Sequence, residues 1–313
     1  MTKPEILMMG AYPQWDMEDL EESYQVHKVW QAQDSESFIA SHAESVRAIA
    51  TRGELGASAD LMKKLPKLEI VSCYGVGTDA IDLTHAKASG IRVTNTPDVL
   101  TGDVADIGIG LALSIARRIP DAHAYVHSGN WSRANMGLVT RFFGKKVGIA
   151  GMGRVGVATA RRASGFDCDI RYFDVAKRDD LPWTFEPDLV ALARWSDFLI
   201  VTLAGGPSTF GVVNAAVFEA LGPEGYLVNI SRGTTVDEPS LLDALEKRTI
   251  KGAGLDVFRN EPGIDRRFLA LDNVVLQPHH ASGTVETRKA MGQLVRDNLA
   301  AHFAGQPLVT PVV

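Results

Sequence analysis

Residues 151–156 read Gly-Met-Gly-Arg-Val-Gly, set between the apolar run VGIA at 147–150 and a helix-like pattern over 155–163. A strand that enters a helix through G-x-G-x-x-G asks something different of each glycine. At Gly151 the backbone turns tightly, at Gly153 it can approach a pyrophosphate, and at Gly156 helix and strand can pack with no side chain between them. The start of the helix then offers backbone amides and the positive end of its dipole to phosphates. Glycine-rich turns are common, so the motif carries weight through its setting between strand and helix. It predicts a dinucleotide-binding unit, with Gly151, Gly153, Arg154, Val155 and Gly156 as candidate cofactor contacts.

The next strand-like run, IRYFD, ends on Asp174, 18 positions after Gly156. A carboxylate there accepts hydrogen bonds from both ribose hydroxyls of NAD and repels the 2′-phosphate of NADP. Lys177 and Arg178 follow closely, and basic side chains at that rim are what NADP would use. NAD is the expected cofactor and NADP the alternative, with Lys177 and Arg178 expected to face solvent.

The rest of the chain fits around this unit. At 313 residues it is too long for one ordinary core and too short for three. Between Ile6 and Pro97 the runs ILMMG, VHKVW, VRAIAT, LEIVSCYG and GIRVTNTP alternate with helix-like segments, an α/β rhythm with a mostly parallel sheet. The stretch ADIGIGLALSIA at 105–116 is apolar nearly all round, which suggests a helix buried between two bodies. A second series, KKVGIAG, DIRYFD, DFLIVTLA, GYLVNIS, IKGAGLDVF and NVVLQP, supplies six strand candidates. After Ser282, Met291, Leu294, Val295, Leu299 and Phe303 line one helical face, and Gly305 is a plausible stop. The expectation is an α/β protein with two doubly wound parallel sheets and an active-site cleft between the two domains.

Composition narrows the partners. A net charge of -6 argues against a nucleic-acid surface. Cys73 and Cys168 are far apart and lack metal-ligand spacing, so they read as reduced core thiols and no metal is expected. The first ten residues, MTKPEILMMG, lack the basic and long apolar regions of a leader, and no window holds the ~20 apolar residues of a membrane helix. A cytoplasmic protein is expected.

A dinucleotide unit points to hydride transfer. Reducing a 2-oxo acid requires a hydride at the carbonyl carbon, a proton at its oxygen, and cations or amides for the carboxylate. The strand ends of the second series carry such groups: Arg232 in NISRGTTVDE, Asp256 and Glu261 in GLDVFRNEP, and His279 in LQPHH. In an open α/β sheet those ends line one crevice. If Glu261 meets His279, the charged imidazole is favoured. Arg232 could then clamp carboxylate and carbonyl oxygens together. Taken singly, each has a plainer reading: Arg232 could pair with a helix C-terminus, and Glu261-Pro262 could be an exposed turn. His279 and His280 are adjacent and point to opposite sides of an extended segment, so one pocket uses one of them.

VGIAGMGRVG, NISRGTTVDEPSLLDALEKRTIKGAGLDVFRNEP and QPHHASGTVETRKAMGQLVRDNLAAHFAGQPLVTPVV resemble the D-isomer-specific 2-hydroxyacid dehydrogenases over nearly the whole chain. With GIRVTNTPDVLTGDVADIGIGLAL, the last segment is most similar to the hydroxypyruvate/glyoxylate and hydroxyphenylpyruvate reductase branch. The resemblance implies Arg232, Glu261 and His279 as catalytic residues and assigns the acid to His279, with His280 structural. It implies that Asp256 holds the nicotinamide amide, that Thr101 lies near the phosphates and Ser231 on the cofactor, and that Tyr74, Gly75, Val76 and Gly77 hold the substrate carboxylate through backbone amides. Two Rossmann-like or flavodoxin-like domains are implied, residues 1–98 plus 286–313 binding substrate and 99–285 binding NAD(P). A homodimer is implied through 101–141, which contains Trp131. The chain departs from its branch at Asp174 and Val175, where NADPH-using members carry serine and arginine, and TLAGGPST lacks a proline common among relatives. The expected activity is reduction of glyoxylate or hydroxypyruvate to the D-2-hydroxy acid. Aryl pyruvates are the alternative substrates, and a non-catalytic NAD-binding regulator the third reading.

Overall fold

The computed structural model describes residues 3–313, so Met1 and Thr2, the start of the segment read against a leader, lie outside the described residues. The chain divides into two compact units, Met1–Leu100 with Gly283–Val313, and Thr101–Ser282. Among the described residues no helix is long and apolar enough to cross a membrane.

In the first unit five short strands form one parallel sheet: β1 (Glu5–Met8), β2 (Gln25–Lys28), β3 (Val46–Arg52), β4 (Ile70–Tyr74) and β5 (Arg92–Thr94), ordered β2-β1-β3-β4-β5. That is the flavodoxin-like order. Central strands with helices on both faces cannot alternate apolar and polar residues. Accordingly β4 is buried at every position and β3 at five of seven. The edge of β5 is covered by the tail, where Val312 N donates to Val93 O at 2.7 Å and Val93 N to Val313 O at 3.2 Å.

The helix Val285–Phe303 closes this unit, capped at its start by Thr284, whose side chain accepts from Thr287 N. Its buried positions include Met291, Val295 and Leu299, three of the residues assigned to its inward face. Gly305, at φ 67°, lies two residues beyond its end in the left-handed region that glycine enters without a steric cost. The same face carries Gly292, where a Cβ would stand 1.8 Å from Asp16 Oδ1. Asp16 is fully buried on the helix Gln14–Ser23 and is paired with Arg296. Burial pushes its carboxyl above the ordinary value, with the Arg296 guanidinium pulling against that.

The second unit is a seven-stranded parallel sheet: β6 (Lys146–Ala150), β7 (Asp169–Phe173), β8 (Thr184–Phe185), β9 (Phe198–Val201), β10 (Tyr226–Asn229), β11 (Gly252–Leu255) and β12 (Val274–Leu276). Their order is β12-β11-β10-β9-β6-β7-β8. Six of these are the expected strands. The seventh, β8, is two residues at the edge, too short to show a period. The order reverses between β6 and β9, and such a switch point opens a crevice at the carboxyl ends of the strands.

The apolar stretch at 105–116 lies in the helix Thr101–Arg117, which packs on β10 and β11. Close packing depends on glycine. A Cβ at Gly254 would come within 2.9 Å of Leu111 Cβ, and one at Gly108 within 2.7 Å of Ile230 Cδ1. Within its unit the helix buries one face, while Ile107 and Leu113 are half-buried.

Removing the cation from Asp16 tests the closure of the first unit. Arg296→Met strands a buried carboxylate, which typically costs ~3–5 kcal/mol. Without Arg296 the folded-state carboxyl rises further above its unfolded value, so the cost is full at neutral pH and shrinks as falling pH protonates Asp16. Urea unfolding across pH, with midpoints converging towards acid, is the measurement.

Candidate active site

The glycine-rich turn sits at the switch point. Gly151, at φ 98°, is wedged against β9's exit: a Cβ would lie 2.7 Å from Leu203 N, and Thr202 donates its hydroxyl to Gly151 O at 2.5 Å. A Cβ at Gly156 would stand 2.1 Å from Gly151 O, so this glycine lets the helix Arg154–Ser164 lie on the turn. Gly153 differs, because nothing lies within 4 Å of its Cβ position. It caps that helix with no side-chain hydrogen bond, so the helix start keeps its dipole end uncapped by a side chain. Open space above one glycine and crowding under the other two fit a pyrophosphate lying on the turn.

Asp174 follows β7 and points back at the turn. Its Oδ2 accepts from Met152 N at 2.6 Å and its Oδ1 from Val175 N at 2.7 Å. Each carboxylate oxygen has a further lone pair, so both can still accept from ribose hydroxyls. Arg178 is exposed, as expected, but it also reaches the turn. Its Nη1 donates to Met152 O at 3.2 Å, while its backbone amide donates to the buried Tyr172 hydroxyl at 2.7 Å. That anchor turns the side chain towards the turn. Lys177 does face solvent, paired with Asp179 at 2.8 Å.

Three strand ends further along the sheet carry the remaining polar groups. Past β10, Asn229 Oδ1 accepts from both the amide and the hydroxyl of Ser231, and Arg232 Nη1 donates to Ser231 O at 2.8 Å. Ser231 is buried and Arg232 half-buried. Past β11, Asp256 is 1% exposed, and its two oxygens accept from His280 N at 2.8 Å and Ala281 N at 3.1 Å. Burial pushes its carboxyl up, against the pull of those amides and of His279. Past β12, His279 has φ 50°, and its own amide donates to Asp256 O at 2.8 Å.

Glu261 closes the group. Its Oε1 accepts from Phe258 N at 2.8 Å, and its Oε2 lies 2.6 Å from His279 Nδ1. Burial alone would raise this carboxyl, but the His279 hydrogen bond, the Phe258 amide and the charges of His279 and Arg232 outweigh it and hold it below the ordinary value. The bond through Nδ1 leaves Nε2 on the far side of the ring. His280 contributes its backbone amide to Asp256, and its side chain is exposed.

In the first unit Tyr74 ends β4. Its hydroxyl donates to Arg288 O at 2.8 Å, its ring packs on Tyr12 with centroids 4.5 Å apart, and burial pushes it beyond the ordinary phenol range. The Gly75 amide donates to Cys73 O at 3.1 Å and so closes a tight turn. No described residue accepts from the amides of Val76 or Gly77, which leaves two of the expected amides for an anion. Thr101 opens the helix Thr101–Arg117 in the other unit. Among the described residues no cluster of three or more metal-ligating side chains occurs.

The anchoring role of Asp256 was not read from the sequence. Its signal was an acid at the mouth of the apolar strand GAGL, since a carboxylate so placed must find donors inside the protein.

The chain is similar to known proteins over nearly its whole length. The family model for the D-isomer specific 2-hydroxyacid dehydrogenase NAD binding domain matches residues 109–281. The chain is 47% identical to the hydroxyphenylpyruvate reductase of Plectranthus scutellarioides over 98% of each chain. It superposes on a 2-hydroxyacid dehydrogenase from Ketogulonicigenium vulgare with a TM-score of 0.94 and 54% identity, covering 100% of this chain and 99% of the other. It also superposes on the NADPH-dependent glyoxylate/hydroxypyruvate reductase of Sinorhizobium meliloti, solved with NADP and malonate, with a TM-score of 0.91 and 42% identity, covering 100% and 97%.

The unlike surroundings of the glycines give a test. Gly156→Ala has nowhere to put its methyl group and should unfold earlier, by ~1–3 kcal/mol as for other overpacked sites. Gly153→Ala should fold with nearly unchanged stability and bind dinucleotide more weakly. Urea unfolding and cofactor fluorescence titration separate the two, and equal behaviour of the variants would contradict the packing described.

Proposed function

Because the chain belongs to the D-isomer-specific 2-hydroxyacid dehydrogenases, a family of NAD(P)-dependent oxidoreductases, we propose that it reduces a small 2-oxo acid, glyoxylate or hydroxypyruvate, to the D-2-hydroxy acid. The observation that carries this reading is the bond between Glu261 Oε2 and His279 Nδ1 at 2.6 Å, with Arg232 close enough to lower the Glu261 carboxyl. A bound nicotinamide supplies the hydride to the carbonyl carbon. His279 Nε2 gives the carbonyl oxygen its proton, and Glu261, by holding Nδ1, fixes which nitrogen faces the substrate. Arg232 offers a planar fork to the carboxylate and carbonyl oxygens. The open amides of Val76 and Gly77 are assigned to the substrate carboxylate. In the oxidative direction the same nitrogen takes the proton back.

Aryl pyruvates are the second reading, favoured by the 47% identity to a hydroxyphenylpyruvate reductase. A non-catalytic regulator is disfavoured by the intact Arg232, Glu261 and His279. Oxidation of NADH and NADPH on a panel of 2-oxo acids tests all three readings. With Asp174 at the ribose position, NADH is expected to give the higher kcat/KM. A tenfold preference for NADPH, about 1.4 kcal/mol, would overturn that.

We also propose a homodimer through the segment past Arg118. The helix Ile119–His127 buries no residue, and Ile119, Val126, Trp131, Leu138 and Phe143 are all exposed, Trp131 by 66%. So many large apolar side chains exposed along one segment suit an interaction site. A monomer in light scattering would exclude it.

His279→Gln is expected to lower turnover ~100- to 10,000-fold with cofactor binding retained, and His280→Gln to be mild. The reverse pattern would move the acid to His280. Glu261, held below its ordinary value, stays charged well into the acid range. Replacing it by glutamine therefore removes a full negative charge beside His279 at every working pH. In Glu261→Gln kcat should fall with cofactor binding retained, because the bond that orients His279 Nε2 loses its charged acceptor. An unchanged kcat in that variant would mean that the carboxylate does not support the acid.

A further inference from the structure

The stretch that follows Asp174 sets two cations directly ahead of two acids. Lys177, Arg178, Asp179 and Asp180 occupy consecutive positions, and each cation is paired with the acid two residues on. The two pairs are not equivalent. Lys177 and Asp179 stand in solvent, with side chains 64% and 84% exposed. Arg178 is tied into the cofactor turn: its Nη1 donates to Met152 O at 3.2 Å, and Met152 N is the amide that Asp174 accepts. Asp174 and Arg178 thus grip the two polar ends of one residue in the glycine-rich turn, which puts the guanidinium beside the carboxylate assigned to the ribose. Its other face is taken, because Nε and Nη2 donate to the two oxygens of Asp180 at 2.8 and 2.6 Å. Such a two-point fork is the geometry an arginine otherwise offers to a phosphate.

We propose that Asp180 sets the cofactor preference by occupying the fork of Arg178, so that a cation within reach of a 2′-phosphate is withheld from it. The proposal rests on the reading of residues 151–156 as the dinucleotide turn. Around the ribose position three carboxylates (Asp174, Asp179, Asp180) face two cations (Lys177, Arg178), a balance of one negative charge that disfavours the phosphate. Removing the charge of Asp180 makes the balance neutral and releases the fork. Asp180 is a surface residue 62% exposed in its side chain, so its substitution leaves the core untouched.

The test measures dissociation constants for NADH and NADPH by cofactor fluorescence, without turnover, in the wild-type protein, Asp180→Asn, Arg178→Gln and the double variant. Asp180→Asn should tighten NADPH roughly five- to tenfold, the scale of one freed charge near a phosphate in water, and change NADH far less. The double variant should lose the gain, since Asp180 acts only through Arg178. Titration with 2′,5′-ADP against 5′-AMP should repeat the pattern and place the effect at the 2′-phosphate. An NADPH constant unchanged in Asp180→Asn, with both dinucleotides binding the wild type, would overturn the proposal and leave the dinucleotide reading standing. A gain that survives in the double variant would also overturn it. Failure of both dinucleotides to bind the wild type would overturn the underlying reading and the proposal with it.

Discussion

A carboxylate cut off from water must find its donors in the chain, and at Asp256 those donors are the amides of His280 and Ala281. With Asp256 O holding the amide of His279, one residue grips three consecutive backbone groups. The grip has work to do, because His279 stands in the left-handed region, which costs a side-chain-bearing residue ~1–2 kcal/mol. Hydrogen bonds to a charged acceptor contribute ~1.5–3 kcal/mol each, enough to hold the conformation. That backbone turn aims the imidazole at Glu261, and Glu261 is fixed in turn by the Phe258 amide two residues past Asp256. The pairing of acid and carboxylate therefore follows from a buried residue at the end of β11.

What could be read from the sequence divides along a physical line. Motifs whose meaning is local were legible: GMGRVG after VGIA announces a strand, a turn and a helix, and the apolar runs announce strands buried on both faces. The meeting of Glu261 with His279, 18 residues apart, was legible because both stand at strand ends that a doubly wound sheet brings together. Properties that depend on which hydrogen-bond partner wins were not. Nothing in SCYGVG says that the Gly75 amide turns back to Cys73 O while those of Val76 and Gly77 stay open. Nothing in DVAKRDD says that Tyr172 will catch the Arg178 amide and swing its side chain over the turn. The two-residue strand β8 was invisible for a simpler reason, since a period cannot show in two residues.

The two units also differ in how their cores are assembled. In the second, contiguous in sequence, seven strands and their helices bury a core that includes Leu199, Val201, Leu227, Leu242 and Leu255. In the first, five strands near the start wait for a helix that follows 182 residues of the other unit. That helix brings Arg296 to Asp16 and seats Gly292 where only a hydrogen fits.

This has a consequence for the chain as it is made. Synthesis runs from the first residue onward, and domains generally fold as units as they emerge. The inserted unit has all its strands once Leu276 has appeared, whereas the unit begun first still lacks the partner of its buried aspartate. The first unit is thus completed last, and until Val285–Phe303 arrives it lacks one flank of its core and the cation for its buried carboxylate. On the ribosome, Asp16 is a debt carried by the nascent chain across the making of an entire second domain.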